Sequence, residues 1–146
     1  EHAIARGAKI YVTIDGVLGD AGSRDQASFA KRMAKLNSDL NISDDSDTLV
    51  FSGTSGRSQA MSFERDYLNA HHSNATVRTT SAIFGHALEA QFPLGLALGA
   101  IALKNGSQIA PFAKDIDAPM SQSATKAVIT SVGHHRSEGL ATLSKF

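Results

Sequence analysis

Residues 81–106 read SAIFGHALEAQFPLGLALGAIALKNG, and the second half of this stretch decides the fold. From Phe92 to Leu103 every side chain is apolar or absent, so a helix here has no wet stripe and needs cover on all sides. Ala97 and Ala100, with Gly95 and Gly99, make one side small enough for another helix to approach closely. Gln91 and Lys104 bracket a run too short for a bilayer, which takes ~20 apolar residues. The segment is predicted to be a central core helix, entered through the Gly85-His86 step.

A chain of 146 residues has the size of one domain, and such a domain buries roughly two-thirds of the surface its unfolded form exposes. Domains of this size have two or three layers. Part of the helix cover is therefore expected from a surface outside these residues. The chain opens on Glu1 rather than Met, EHAIARG reads as the tail of a helix, and the whole is read as a fragment.

Composition narrows the function classes. The formal net charge is +0 and basic residues are scattered, so neither nucleic acid nor an anionic membrane surface is an expected partner. The absence of Cys excludes disulfides, thiolate metal sites and a Cys nucleophile within these residues, and fits a reducing compartment. No signal peptide or membrane span is visible, and a cytoplasmic location is expected. The sequon-like triplets at Asn41, Asn74 and Asn105 are read as chance matches.

Outward from the apolar helix, KIYVTIDGVLG has the β-branched and aromatic residues of a half-exposed strand, with Ile10, Val12 and Ile14 on one face. DQASFAKRMAKLNSDL predicts a surface helix with Phe29, Met33 and Leu36 inward and Asp25 near its N-terminus, where the helix dipole favours an anion. TLVFSG is a buried strand, SGTSGRSQAMS a Ser/Gly loop, and MSFERDYLNAHH a helix on which Met61, Glu64 and Leu68 share a side. ATVRTTS is a third strand; AVITSV and GLATLSKF are a fourth and fifth, paired as a hairpin across GHHRSEG. The alternation predicts an α/β fold, a five-stranded mixed sheet with helices on both faces.

Four motifs in this order carry a resemblance. Arg6-Gly7-Ala8 precedes a strand, Ser52-Gly53-Thr54-Ser55-Gly56 follows a short strand, Ser81 leads to Gly85-His86, and Ser131-Val132-Gly133 ends the fourth strand. Over essentially its whole length the chain resembles the C-terminal half of the β-ketoacyl-acyl carrier protein synthases, condensing enzymes of the thiolase-like fold. There the second motif reads His-Gly-Thr-Ser-Thr, the third begins with Lys, and the fourth continues as a Gly-rich turn. The resemblance implies a thiolase-like half-fold over residues 1–146. The helix cover and the Cys nucleophile would come from an absent N-terminal half.

The resemblance also implies a chemistry. Such synthases condense malonyl-carrier protein, after loss of carbon dioxide, with an acyl thioester, and two His side chains stabilise the enolate-like oxygen where charge develops. His86 matches the second His, presented at a helix entrance where the N-terminus favours a neutral ring. On its residues alone, His86 reads more readily as a satisfied, partly buried helix-cap His; the order of the surrounding motifs favours the site position. Ser52 stands at the first His, and a hydroxyl can donate one hydrogen bond but cannot exchange protons near neutral pH. Ser81 takes the place of the Lys, and Ala60 that of an acidic residue in the following loop. Thr54 retains one of two pantetheine-binding threonines, with Gly56 at the other. His134, His135 and Arg136 stand where the family has Phe-Gly-Gly in the oxyanion turn, so His134 marks the oxyanion-loop position and the hole is expected to be disrupted or refilled by side chains.

Two other constellations carry less. A Ser/His/Asp hydrolase lacks any G-x-S-x-G elbow, and the pairs His71-His72 and His134-His135 lack a third ligand at metal spacing, so both read as solvated surface His. Neither metal nor cofactor is expected.

The resulting expectation is a β-ketoacyl-carrier protein synthase-like domain of fatty-acid biosynthesis. It is either impaired and acting as a chain-length-factor-like partner subunit, or an active 3-oxoacyl synthase; the chain alone is expected to be inactive. Expected partners are acyl carrier protein, the N-terminal half, and a second subunit in a homodimer or a heterodimer with an active synthase. A small stand-alone binding module is the reading from a different class.

Overall fold

The computed structural model describes residues 2–106, 108–133 and 136–146. In chain order they form α1 (His2–Ala5), β1 (Val12–Asp20), α2 (Gln26–Asp39), β2 (Thr48–Ser52), α3 (Ser58–His71), β3 (Thr76–Thr79), α4 (Ser81–Phe84), a short 3-10 turn (Leu88–Ala90), α5 (Gln91–Asn105), β4 (Lys126–Val132) and β5 (Glu138–Lys145). One sheet has the strand order β1-β5-β4-β2-β3. β2 runs parallel to β3 and β4, whereas β5 is antiparallel to β4 and β1. This is the α/β mixed sheet the sequence predicts.

Side-chain alternation along the strands sorts the core into two layers. Val50, Val128 and Leu140 face α2 and α3, where Phe29, Met33, Leu36, Tyr67 and Leu68 meet them. Leu49, Phe51, Ala127, Ile129, Ala141 and Leu143 face α5, against Ala102 and Leu103. β2 is buried at every position, as a parallel strand covered on both faces should be. α2 starts where Asp25 caps it, its carboxylate accepting from the Ser28 N–H at 2.9 Å. α3 begins one turn earlier than its apolar spacing predicts, so Ala60 lies buried on the helix and not in a loop.

α5 is covered on one side only. The row Gly95, Gly99, Ala102 and Leu103 is buried, while Pro93, Ala97 and Ile101 are exposed, Ile101 at 48%. The small residues do not share a face as expected, because at 100° per residue Ala97 falls opposite the Gly95–Gly99 row. The glycines admit the sheet, not another helix. A Cβ at Gly95 would stand 2.8 Å from Ile129 Cγ2, and one at Gly99 2.9 Å from Leu143 Cδ1.

β1 is an edge strand and more exposed than expected. It starts at Val12, leaving Ile10 outside, and its pairing with β5 slips between Ile14 and Gly16, so that Asp15 is an extra residue. This β-bulge resets the alternation. Ile14 opposite Leu143 and Val17 opposite Ala141 therefore share the α5 face of the sheet, and both stay exposed, at 56% and 51%.

The sequence reading of His72 as a surface residue is corrected. α3 ends at His71, and the chain turns His72 inward, where it is buried. Tyr67 donates to Asn37 Oδ1 at 2.9 Å and stands 2.9 Å from His72 Nε2, which leaves the buried Nδ1 without a hydrogen-bond partner. Burial disfavours the imidazolium and brings the pKa down from 6.5 to about 4, against the opposing pull of Asp44. The unfolded chain takes up this proton near pH 6.5 and the folded chain does not, so stability is full above that pH and falls as pH drops toward about 4. Replacing His72 by Gln, which keeps an N–H donor for the Tyr67 oxygen, is expected to flatten this slope by up to about 1.4 kcal/mol per pH unit. Urea midpoints of both proteins between those pH values measure it.

Candidate functional site

Open α/β sheets bind ligands at the carboxyl ends of their parallel strands. β2 ends at Ser52, β3 at Thr79 and β4 at Val132, and an isolated parallel bridge of Thr54 to Val132 carries β2's extension to the β4–β5 turn. Ser52 and Thr54, both predicted site residues, thus lie at one sheet edge. They line a cavity of about 300 Å³ with Met61, Glu64, Leu68 and Thr79, closed in part by Ile116.

Ser52 is buried, and its Oγ lies 2.7 Å from Glu64 Oε2. The other carboxyl oxygen meets Thr130 Oγ1, which in turn accepts from the Gly53 N–H at 2.9 Å. Burial pushes the Glu64 pKa up, against the hydrogen bonds from Ser52, Thr130 and the Gly53 N–H, which favour the carboxylate. Among the described residues no cation pairs with it. Thr54 Oγ1 is buried with no hydrogen-bond partner among the described residues.

His86 does not stand at a helix entrance. α4 ends at Phe84, Gly85 caps it with φ 64° and ψ −157°, a backbone that only glycine adopts readily, and the 3-10 turn separates His86 from α5. Its segment is tied to the same edge by a relay absent from the sequence reading. The Ala87 N–H donates to Gln91 Oε1 at 3.0 Å, Gln91 Nε2 to Thr80 Oγ1 at 2.5 Å, and that hydroxyl to the Ser52 carbonyl at 2.5 Å. Gln91→Ala is expected to lower Ala87 amide protection in hydrogen exchange by about tenfold and to cost about 1–2 kcal/mol, since it strands buried groups.

His134 lies outside the described residues. Of the described residues next to it, the Gly133 N–H donates to Ser137 O at 3.0 Å, and Arg24 Nη1 donates to Gly133 O at 3.0 Å. The Gly133 N–H is thereby occupied. On the β3 side, Asp117 accepts from the Thr79 hydroxyl at 2.8 Å and from the Phe112 N–H at 2.8 Å. Arg78, fully buried, donates to the carbonyls of Ile109 at 3.0 Å and Ala118 at 2.8 Å. Together they fasten residues 109–118 beside the cavity. Among the described residues no group of three or more His, Asp or Glu is placed to hold a metal ion, and no helix is long and apolar enough to cross a membrane.

Sequence reasoning placed Ser52 and Thr54 correctly at a strand end but missed Glu64 as a site group. Its signal was present: an acidic residue on the same helix face as Met61 and Leu68. Thr80, Gln91 and Asp117 had no comparable signal, because the links of Thr80 to Ser52 and of Asp117 to Thr79 join segments distant in the chain, and Gln91 enters only through Thr80.

The fold is the thiolase-like fold of ketosynthase domains, over part of such a chain. An oxazolomycin ketosynthase domain of Streptomyces albus JA3453 superposes with a TM-score of 0.78 at 15% identity, covering 99% of this chain and 47% of that one. The ishigamide ketosynthase/chain length factor gives 0.80 at 14% identity, covering 99% and 40%. A type II polyketide ketosynthase solved in complex with its acyl-carrier protein gives 0.72 at 16% identity, covering 99% and 41%. The chain thus spans less than half the length of each. No family model matches the sequence, and no curated protein does.

Proposed function

We propose that residues 1–146 are the C-terminal half of a β-ketoacyl-carrier protein synthase-like protein of fatty-acid biosynthesis. In this reading it is impaired in condensation and acts as a chain-length-factor-like partner subunit. One observation carries it: at the strand end where the resemblance expects a His stands Ser52, buried with its hydroxyl on Glu64, and a serine hydroxyl cannot take the place of an imidazole in exchanging protons near neutral pH. Loss of one such donor costs ~10²–10³ in rate in other enzymes.

The uncovered apolar surface supports the missing half. Pro93, Ala97 and Ile101 on α5 and Ile14 and Val17 on β1 face outward from the same side of the sheet. Covering ~400 Å² of such surface is worth ~10 kcal/mol at 25 cal/mol/Å² before association costs. The partners in this reading are the N-terminal half, acyl carrier protein, and a second subunit in a homodimer or a heterodimer with an active synthase, in the cytoplasm.

A second reading, an active 3-oxoacyl synthase, is favoured by the Thr54 hydroxyl, buried without a hydrogen-bond partner among the described residues, on a residue that lines the cavity. The full-length protein incubated with malonyl- and acyl-carrier protein decides between them. No β-ketoacyl product, with co-purification of an active synthase, is expected; product formation by the protein alone overturns the partner-subunit reading.

A further inference from the structure

The hydroxyl and carboxyl groups at the end of β2 can be counted hydrogen by hydrogen. Glu64 touches Ser52 Oγ through Oε2 and Thr130 Oγ1 through Oε1. A carboxylate takes both hydroxyl hydrogens, and none is left over. A carboxylic acid brings one more, so three hydrogens serve two oxygen–oxygen contacts and one must leave the cluster. Thr130 cannot readily release its own: it already accepts from the Gly53 N–H, and its alternative acceptor, Phe51 O, lies 3.5 Å away. Ser52 Oγ has no hydrogen bond but that to Glu64 among the described residues, and Ser52 lines the cavity.

We propose that Glu64 is a neutral carboxylic acid that donates to Ser52 Oγ, turning the Ser52 hydroxyl hydrogen into the cavity as a donor for the carbonyl oxygen of a bound acyl ligand. Glu64 is then a positioning residue acting through Ser52. Ionisation of Glu64 draws that hydrogen back and removes the donor. The assignment rests on the reading of this edge as an acyl-ligand site. Burial without a paired cation favours the neutral form. Thr54 Oγ1, buried beside Ser52, offers the same carbonyl a second hydroxyl. Of the charges near the cavity, Arg65 on α3 would favour the carboxylate but makes no ion pair with Glu64, and Asp117 is engaged by Thr79 and Phe112. From β2 and β4 the polar groups meeting Glu64 are the hydroxyls of Ser52 and Thr130.

Infrared difference spectra of the full-length protein against its Glu64→Gln variant test the proton. A carboxylic-acid C=O band at neutral pH that is lost in Glu64→Gln and shifted in Ser52→Ala is expected; a carboxylate band instead overturns the proposal. Binding of an acyl-pantetheine thioester is then followed across pH. The unmodified protein should lose about three- to tenfold in affinity as Glu64 ionises, the worth of one net hydrogen bond, while Glu64→Gln stays flat. Parallel profiles for the two proteins overturn the donor role. If the acid band is present and neither protein binds the thioester, the acyl-site reading fails and takes the proposed ligand with it, while the protonation of Glu64 stands.

Discussion

Replacing Glu138 by Ala is expected to cost about 3–5 kcal/mol of stability, lowering the melting temperature by roughly 10 °C, because it strands buried cations. The Glu138 side chain is fully buried at the start of β5. It lies 2.9 Å from Arg32 Nε of α2 and 2.9 Å from Arg24 Nη2 of the loop before α2. Both guanidinium groups are themselves largely covered, at 12% and 15% side-chain exposure. Water therefore replaces the lost carboxylate poorly. Arg24 also donates to the Gly133 carbonyl, so the same change loosens the hold on the end of β4. Glu138→Gln keeps the shape and removes the charge, and it should recover only a minor share of the loss. Thermal unfolding of the three proteins measures the effect; a shift within a degree or two would show that the ion cluster contributes little.

Asp117→Ala is expected to cost about 3 kcal/mol and to open residues 109–118 to proteases. Its carboxylate accepts from the backbone N–H groups of Thr79 at 3.2 Å, Phe112 at 2.8 Å and Ala113 at 3.2 Å, besides the Thr79 hydroxyl. Removing it leaves donors with no acceptor in a buried setting. Asp117→Asn should cost nearly as much, since its NH₂ group points donors at donors. The loop carries Ile116, one wall of the site cavity, so loosened packing there should appear first as faster cleavage under native conditions. Unchanged cleavage in Asp117→Ala would place the loop's anchorage on Arg78 instead.

Much of the architecture was legible because it rests on local periodicity. Val50, Val128 and Leu140 alternate with Leu49, Ile129 and Leu143 on strands whose neighbours spell the same pattern. Phe29, Met33 and Leu36 repeat at helical spacing behind a capping Asp25. What escaped was set by contacts between distant segments. The outer row of α5 is exposed because no described residue covers it, which the even greasiness of its sequence hides. His72 reads as a polar chain end until the turn after α3 folds it against Tyr67. Ser52 was placed at a strand end from its motif, yet its burial against Glu64 depends on how α3 lies across the sheet.

The extra residue in β1 shapes how the molecule can meet another. Bulged edges twist away and make poor templates for a further strand, so this rim resists growth of the sheet by backbone pairing. The same irregularity turns Ile14 and Val17 to one side, next to the bare row of α5. Association is thereby steered: the molecule can stack through its flat greasy side, but its border discourages end-to-end fibre growth.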